Sequence, residues 1–249
     1  MSAIIKLLVG RSHWWSAMKR MRLASTVLTV FVIAVIAFLY TILELDVLAA
    51  GETDQAAPGT AAAALAQLEV KGRAPMTGYD RELFGPAWKD IDRNGCDQRN
   101  DILARDLVDE TFREGPQGCI VVSGVLHDKY TGMTIHFQRG QGTSEKVQID
   151  HVVPLANAWQ TGAQGWSAAK REQFANDPLN LMATDGPTNQ AKGAGDAATW
   201  LPPNRTFWCP YVARQIAVKA KYDLWVTPAE KDAMQRVLDS CPGEPLPSS

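Results

Sequence analysis

The feature that most constrains this chain is the run from Leu23 to Leu43, 21 residues without a charge. At about 1.5 Å of rise per residue, such a run is long enough to cross a bilayer core as a helix. It divides the chain and decides the compartment in which the larger part folds. Lys6, Arg11, Lys19, Arg20 and Arg22 all precede it. Positive charge on that side keeps the N-terminus in the cytoplasm and sends the residues beyond the run across the membrane. Val47-Leu48-Ala49 supplies small residues suited to cleavage, so residues 23–49 read as a transmembrane anchor or a signal segment. The length favours the anchor, because signal-peptide apolar cores run to about 7–15 residues.

Export sets the chemistry available downstream. All four cysteines, Cys96, Cys119, Cys209 and Cys241, lie beyond the run, and an even number in an oxidising compartment points to disulfides. Three pairings are open. No Cys-x-x-Cys spacing exists to build a zinc site from thiolates. Beyond position 50 there are 20 Lys and Arg against 25 Asp and Glu, so the exported part is acidic. It has no general nucleic-acid footprint, and any such contact needs a local basic patch or a bound cation.

The 249 residues suffice for one good-sized domain with appendages. Residues 1–22 read as a basic cytoplasmic N-terminus. Residues 50–77, rich in Ala, Gly, Thr and Pro, read as a flexible linker with room for a short helix at 61–68. The globular part runs over 78–242, and 243–249 form a tail. Periodicity and turn residues predict a helix over 97–107, a strand over 119–126, a turn at 128–132 and a return strand at 133–137. A strand over 147–149 comes next, then helices over 167–176 (Ser167 as N-cap), 186–194, 207–222 and 228–238 (Thr227 as N-cap). This is an α+β pattern. His127 and His136 fall in the hairpin, with no carboxylate at ligand spacing.

Asp90-Ile91-Asp92-Arg93-Asn94-Gly95 copies the first half of a calcium loop, with Asp101 at the twelfth position. A working loop of that kind wants a bidentate Glu there. The favoured reading is an Asx-rich turn that caps the helix starting near Asp97.

The chemistry centres on Val147–Trp159. A short strand ends in Asp150-His151, and Pro154 stops it from continuing. A carboxylate is a hard ligand for a divalent cation, and an imidazole titrates near neutrality, so the pair suits metal binding and proton transfer. Downstream come Asn180-Leu181, then Asn189 with Lys192-Gly193, then Trp200-Leu201-Pro202-Pro203. In that order these motifs resemble the HNH (ββα-metal) nucleases, specifically the secreted actinobacterial branch related to the C-terminal domain of GmrSD-type endonucleases. The likeness runs from about Gly78 to Cys241 and takes in Asn94-Gly95-Cys96-Asp97-Gln98-Arg99 and Cys209-Pro210-Tyr211.

The resemblance implies a ββα-metal core with flanking helices and a metal-dependent endonuclease acting on DNA with little sequence preference. It makes His151 the general base on water. Asp150 and Asn189 become oxygen ligands of one divalent ion, Mg²⁺ or Mn²⁺. Asn180 is expected to hold the His151 ring, and Lys192, one turn beyond Asn189, to contact the scissile phosphate, with Asp196 either ordering Lys192 or lying behind the ligands. Arg81, Arg99 and Arg214 are further phosphate candidates. Trp200 and Trp208 read as core. Pairing Cys96 with Cys119 and Cys209 with Cys241 joins neighbouring elements on either side of the nuclease motif. The alternatives are a surface binding module that has lost catalysis and a metal-dependent hydrolase of another phosphodiester. The expected location is the cell membrane with the catalytic domain outside, or secretion if the segment is cleaved.

Overall fold

The computed structural model describes residues 32–40, 57, 59–115 and 118–247. Residues 32–40, inside the apolar run, are helical. The rest of that run, the basic residues 1–22 and Val47-Leu48-Ala49 lie outside the described residues. Among the described residues no helix is long and apolar enough to cross a membrane. The chain divides into two compact units, Met1–Gln55 and Ala56–Ser249. The second is a mixed α+β unit of small sheets and several helices.

It begins with α1 (Ala61–Gln67), whose N-cap Thr60 accepts a hydrogen bond from the Ala63 N–H. Next comes α2 (Gln98–Asp106), capped by Asp97, whose side chain accepts from the Asn100 N–H at 2.8 Å. A three-stranded antiparallel sheet comes after it, with β1 (Leu107–Phe112), β2 (Val121–His127) and β3 (Thr134–Gln138) in that order. Strand β1 has no counterpart in the sequence reading. Its irregular pairing and Asp109 at φ 52° break the alternation that would have announced it.

The second sheet is an antiparallel ribbon of β4 (Val147–His151) and β5 (Leu181–Asp185), with Asp150 opposite Met182. Between the two strands lie α3 (Leu155–Gln160) and α4 (Ala168–Asn176), the latter started by Ser167 as expected. Helix α5 (Gly186–Lys192) leaves β5 with no intervening loop. Two residues make that junction. Asp185 caps α5 by accepting from the Thr188 N–H at 2.9 Å. Gly186 lies so close to the Glu145 carbonyl that any Cβ would overlap it.

Helices α6 (Trp208–Tyr222) and α7 (Pro228–Leu238) close the unit, α7 opening with a Thr227/Glu230 capping box. Leu65 of α1 is fully buried in one core with Ile216 of α6 and Met234 of α7. The Leu246 N–H donates to Gly59 O, and Thr60 bridges Pro245. The short helix expected at 61–68 is thus present, but residues 60–68 and 244–246, expected as linker and tail, are packed parts of the domain. Apolar burial at about 25 cal/mol per Å² outweighs the Ala-rich composition that made 61–68 look like tether. The cysteines pair as 96–119 and 209–241.

Candidate active site

Strand alternation and helix spacing build the site together. Gln148 and Asp150, two apart on β4, share the face turned to α5, while Asn189 and Lys192, three apart on α5, share the face turned back. The partners match one to one. The Asn189 Nδ2 donates to Gln148 Oε1 at 2.9 Å, and the Lys192 Nζ lies 2.9 and 2.7 Å from the two carboxylate oxygens of Asp150. Lys192 also donates to the His151 carbonyl at 2.7 Å. The side chain of Lys192 is 0% exposed, so its ammonium is held beneath the carboxylate rather than offered to a phosphate in solvent. Burial pulls its pKa below the ordinary lysine value, and the Asp150 carboxylate opposes that shift.

Asp150 has a second donor that the sequence reading missed. The Tyr130 hydroxyl, from the β2–β3 turn, reaches Asp150 Oδ2 at 2.5 Å. Tyr130 is fully buried, and burial together with the Asp150 charge pushes its pKa well above 10, so the phenol keeps its proton and donates.

His151 turns to other neighbours. Its Nε2 lies 2.8 Å from the carbonyl oxygen of Ala175 in α4, and its ring stacks on Trp88 at 6.2 Å and 14°. A carbonyl only accepts, so Nε2 carries the proton and Nδ1 is left as the acceptor. Burial lowers the pKa of His151 to about 4, and the charges of Arg81 and Lys192 act in the same direction. The ring is therefore neutral at pH 7. Trp88 itself sits at φ 60°, a left-handed conformation rare for a bulky side chain.

Asp150, His151 and Asn189 open on one cleft of about 320 Å³, walled also by Tyr79, Arg81 and Pro154. Arg81 is exposed, and its side chain makes no hydrogen bond or ion pair among the described residues. Asn189 Oδ1 has no protein partner among them either, because only Nδ2 is engaged. A second groove of about 410 Å³ includes Arg105 and Arg214, but the Arg214 guanidinium is spent on backbone carbonyls around Pro178–Leu181, and that of Arg105 on the same carbonyls and the Asp106 carboxylate.

Several expected residues stand elsewhere. Asn180 makes no hydrogen bond to the His151 ring; its side chain accepts from the Val153 N–H at 2.8 Å and donates to the Val153 carbonyl at 3.2 Å, and the Ala175 carbonyl holds the ring instead. Arg99 donates to the carbonyls of Ser144 and Val147 and does not line the cleft. Asp196 pairs with Arg73, not Lys192. Trp200 packs edge-on against Tyr130, and Trp208 joins the same core. His127 and His136 are exposed hairpin residues. In the calcium-like loop, Asp90, Asp92 and Asn94 accept N–H groups of the loop itself, as an Asx turn requires. Among the described residues the one close grouping of three His, Cys, Asp or Glu side chains is Cys209, Cys241 and Glu244, whose sulfurs are bonded to each other.

The donors at the cleft fit a hard cation: a carboxylate and an amide oxygen, with no sulfur or second imidazole among the described residues. Gln148, which fixes the Asn189 amide, was legible in principle, since it shares the strand face of Asp150 by simple alternation.

Comparison with known proteins bears on the same elements. The family of GmrSD restriction endonucleases, C-terminal domain, matches residues 97–237, which include α2 through nearly all of α7. An "Uncharacterized secreted protein" of Arthroderma benhamiae (strain ATCC MYA-4681 / CBS 112371) is 39% identical over 184 residues, 73% of this chain and 85% of its own. No solved structure matches. The chain belongs to the GmrSD restriction endonuclease C-terminal domain family, and its function is nuclease-related.

Proposed function

We propose that the unit is an exported, metal-dependent HNH-type endonuclease that hydrolyses DNA phosphodiester bonds with little sequence preference. The observation that carries this reading is the His151 ring, neutral, with Nε2 committed to the Ala175 carbonyl and Nδ1 left to take a proton from water. Asp150 and Asn189 would hold one Mg²⁺ or Mn²⁺. Bound there, such an ion supplies charge neutralisation at the phosphate and the departing oxygen. Arg81, uncommitted at the rim, binds a phosphate of the substrate backbone. An acidic domain without a groove-reading element accounts for weak sequence preference. The uncharged run Leu23–Leu43 supports export, as an anchor or a cleaved signal, and the relative's description as secreted agrees with it.

The test uses purified residues 56–249 and supercoiled plasmid, with Mg²⁺ or with EDTA. Nicking is expected only with the metal. His151→Ala should lower turnover by about 10²–10⁴, the worth of a positioned base, while calorimetric metal affinity stays near that of wild type. Arg81→Ala should raise KM more than it lowers kcat. Undiminished nicking by His151→Ala, or in EDTA, overturns the reading.

A further inference from the structure

We infer that Tyr130 is a positioning residue that makes Asp150 a one-oxygen ligand, presented to the cation through Oδ1. The inference rests on the reading of Asp150 as a metal ligand and goes beyond it. A carboxylate oxygen has about two lone-pair sites. Oδ2 meets two donors, the Tyr130 hydroxyl at 2.5 Å and the Lys192 ammonium at 2.7 Å, so both of its sites are filled. Oδ1 meets Lys192 alone, at 2.9 Å, and keeps one site. Mg²⁺ demands near-octahedral geometry and takes carboxylates through one oxygen, whereas Ca²⁺ readily takes both. Filling Oδ2 thus favours the smaller ion.

The phenol is placed with little freedom. Asp128, buried two residues earlier, accepts from the Thr131 N–H and hydroxyl within the turn. It also accepts from the Thr184 hydroxyl at 2.7 Å and the Asp185 N–H at 3.1 Å, at the end of β5. The turn is therefore fastened to the strand that leads into α5. The Tyr130 ring is packed by Trp200 and Tyr211, with centroids at 5.0 and 5.6 Å. One tyrosine hydroxyl, delivered from a hairpin that supplies no ligand, sets how many oxygens Asp150 can offer.

The experiment measures Mg²⁺ and Ca²⁺ affinity by calorimetry, without substrate, for wild type, Tyr130→Phe and Tyr222→Phe in residues 56–249. Wild type should prefer Mg²⁺. Tyr130→Phe keeps the ring but frees a site on Oδ2, so the Ca²⁺/Mg²⁺ affinity ratio should rise about tenfold, the worth of one charge-assisted hydrogen bond. Tyr222→Phe, also buried but with its hydroxyl donated to Asp177, should leave the ratio unchanged. Replacing Tyr130 with 3-fluorotyrosine, a more acidic phenol, should hold the ratio at or below the wild-type value, and this variant decides the matter if the Phe protein folds poorly. Affinities that fall together at constant ratio in Tyr130→Phe would mean the hydroxyl merely supports the fold, and the inference fails while the metal reading stands. A ratio that rises equally in Tyr222→Phe, or in the fluorotyrosine protein, also overturns it. Wild type that binds neither ion overturns the metal reading itself, and this inference with it.

Discussion

Replacing Lys192 by Met isolates the charge balance under the cleft. The ion pair is buried on both sides, with side chains 0% and 6% exposed. Lys192 is held against Asp150 Oδ1, Asp150 Oδ2 and the His151 carbonyl. Methionine keeps most of the chain length and removes all three contacts, so the carboxylate is left with Tyr130 as its sole donor. Removing one partner of a buried pair costs about 3–5 kcal/mol, because the other charge stays desolvated and unmatched. For a unit of this size each kcal/mol moves Tm by about 2–4 °C, which gives a fall of about 6–20 °C. Urea denaturation in EDTA at pH 7 measures it directly. The companion is the double variant Asp150→Asn, Lys192→Met, in which no charge is stranded; it should recover at least half of the loss. If a cation occupies Asp150, saturating Mn²⁺ should restabilise Lys192→Met more than wild type, since the ion replaces the missing charge. A loss below about 1 kcal/mol, or a double variant no more stable than the single, would refute the argument that this pair holds the helix to the strand.

Two further outcomes stem from burial around the pair. His151 titrates near 4 in the folded unit because burial disfavours its charged form, whereas the unfolded chain titrates near 6.5. The depressed folded value means that its contribution to stability is fully present above about pH 6.5. It is lost as pH falls towards 4, by up to roughly 3 kcal/mol, and His151→Gln should flatten that part of the stability–pH curve; an unchanged curve would show a solvated ring. In the same way plasmid nicking should hold level from pH 8 down to about 5 and fail near 4, and an acid limb at 6.5 counts against a buried base. Asn180→Ala strands the Val153 N–H and carbonyl in a fully buried place, at about 1–3 kcal/mol for each; a thermal melt unchanged from wild type would show that water takes over both groups.

How much of this was legible in the sequence differs from residue to residue for physical reasons. The helices with clear caps, behind Ser167 and Thr227, stand where local chemistry put them, because a cap is satisfied within four residues of itself. The grouping of Asp150, His151, Asn189 and Lys192 came from the family resemblance; alternation and helical spacing, which are also local, add only that Gln148 shares a strand face with Asp150 and Lys192 a helix face with Asn189. What spacing could not tell is which way a charge faces once the elements pack. Lys192 comes one turn after Asn189 whether its ammonium reaches out to a phosphate or in to Asp150. The choice is made by Gly186, which lets α5 press against the Glu145 backbone and turns that face of the helix onto β4. Arg99 and Arg214 were misplaced for a related reason, because carbonyls left unpaired at strand starts and loop bends are invisible in sequence and attract guanidinium donors. Tyr130 lies 20 residues before Asp150 in an ordinary hairpin turn, and no local rule ties the two. The trace it leaves is indirect: Asp128 and Thr131, hydrogen-bonded to each other at the tip of the hairpin, hold a buried tyrosine where a surface turn has no need of one. A large aromatic with a polar end, inside a turn otherwise built of polar residues and a glycine, signals that the turn is covered and that its hydroxyl has a buried partner to find.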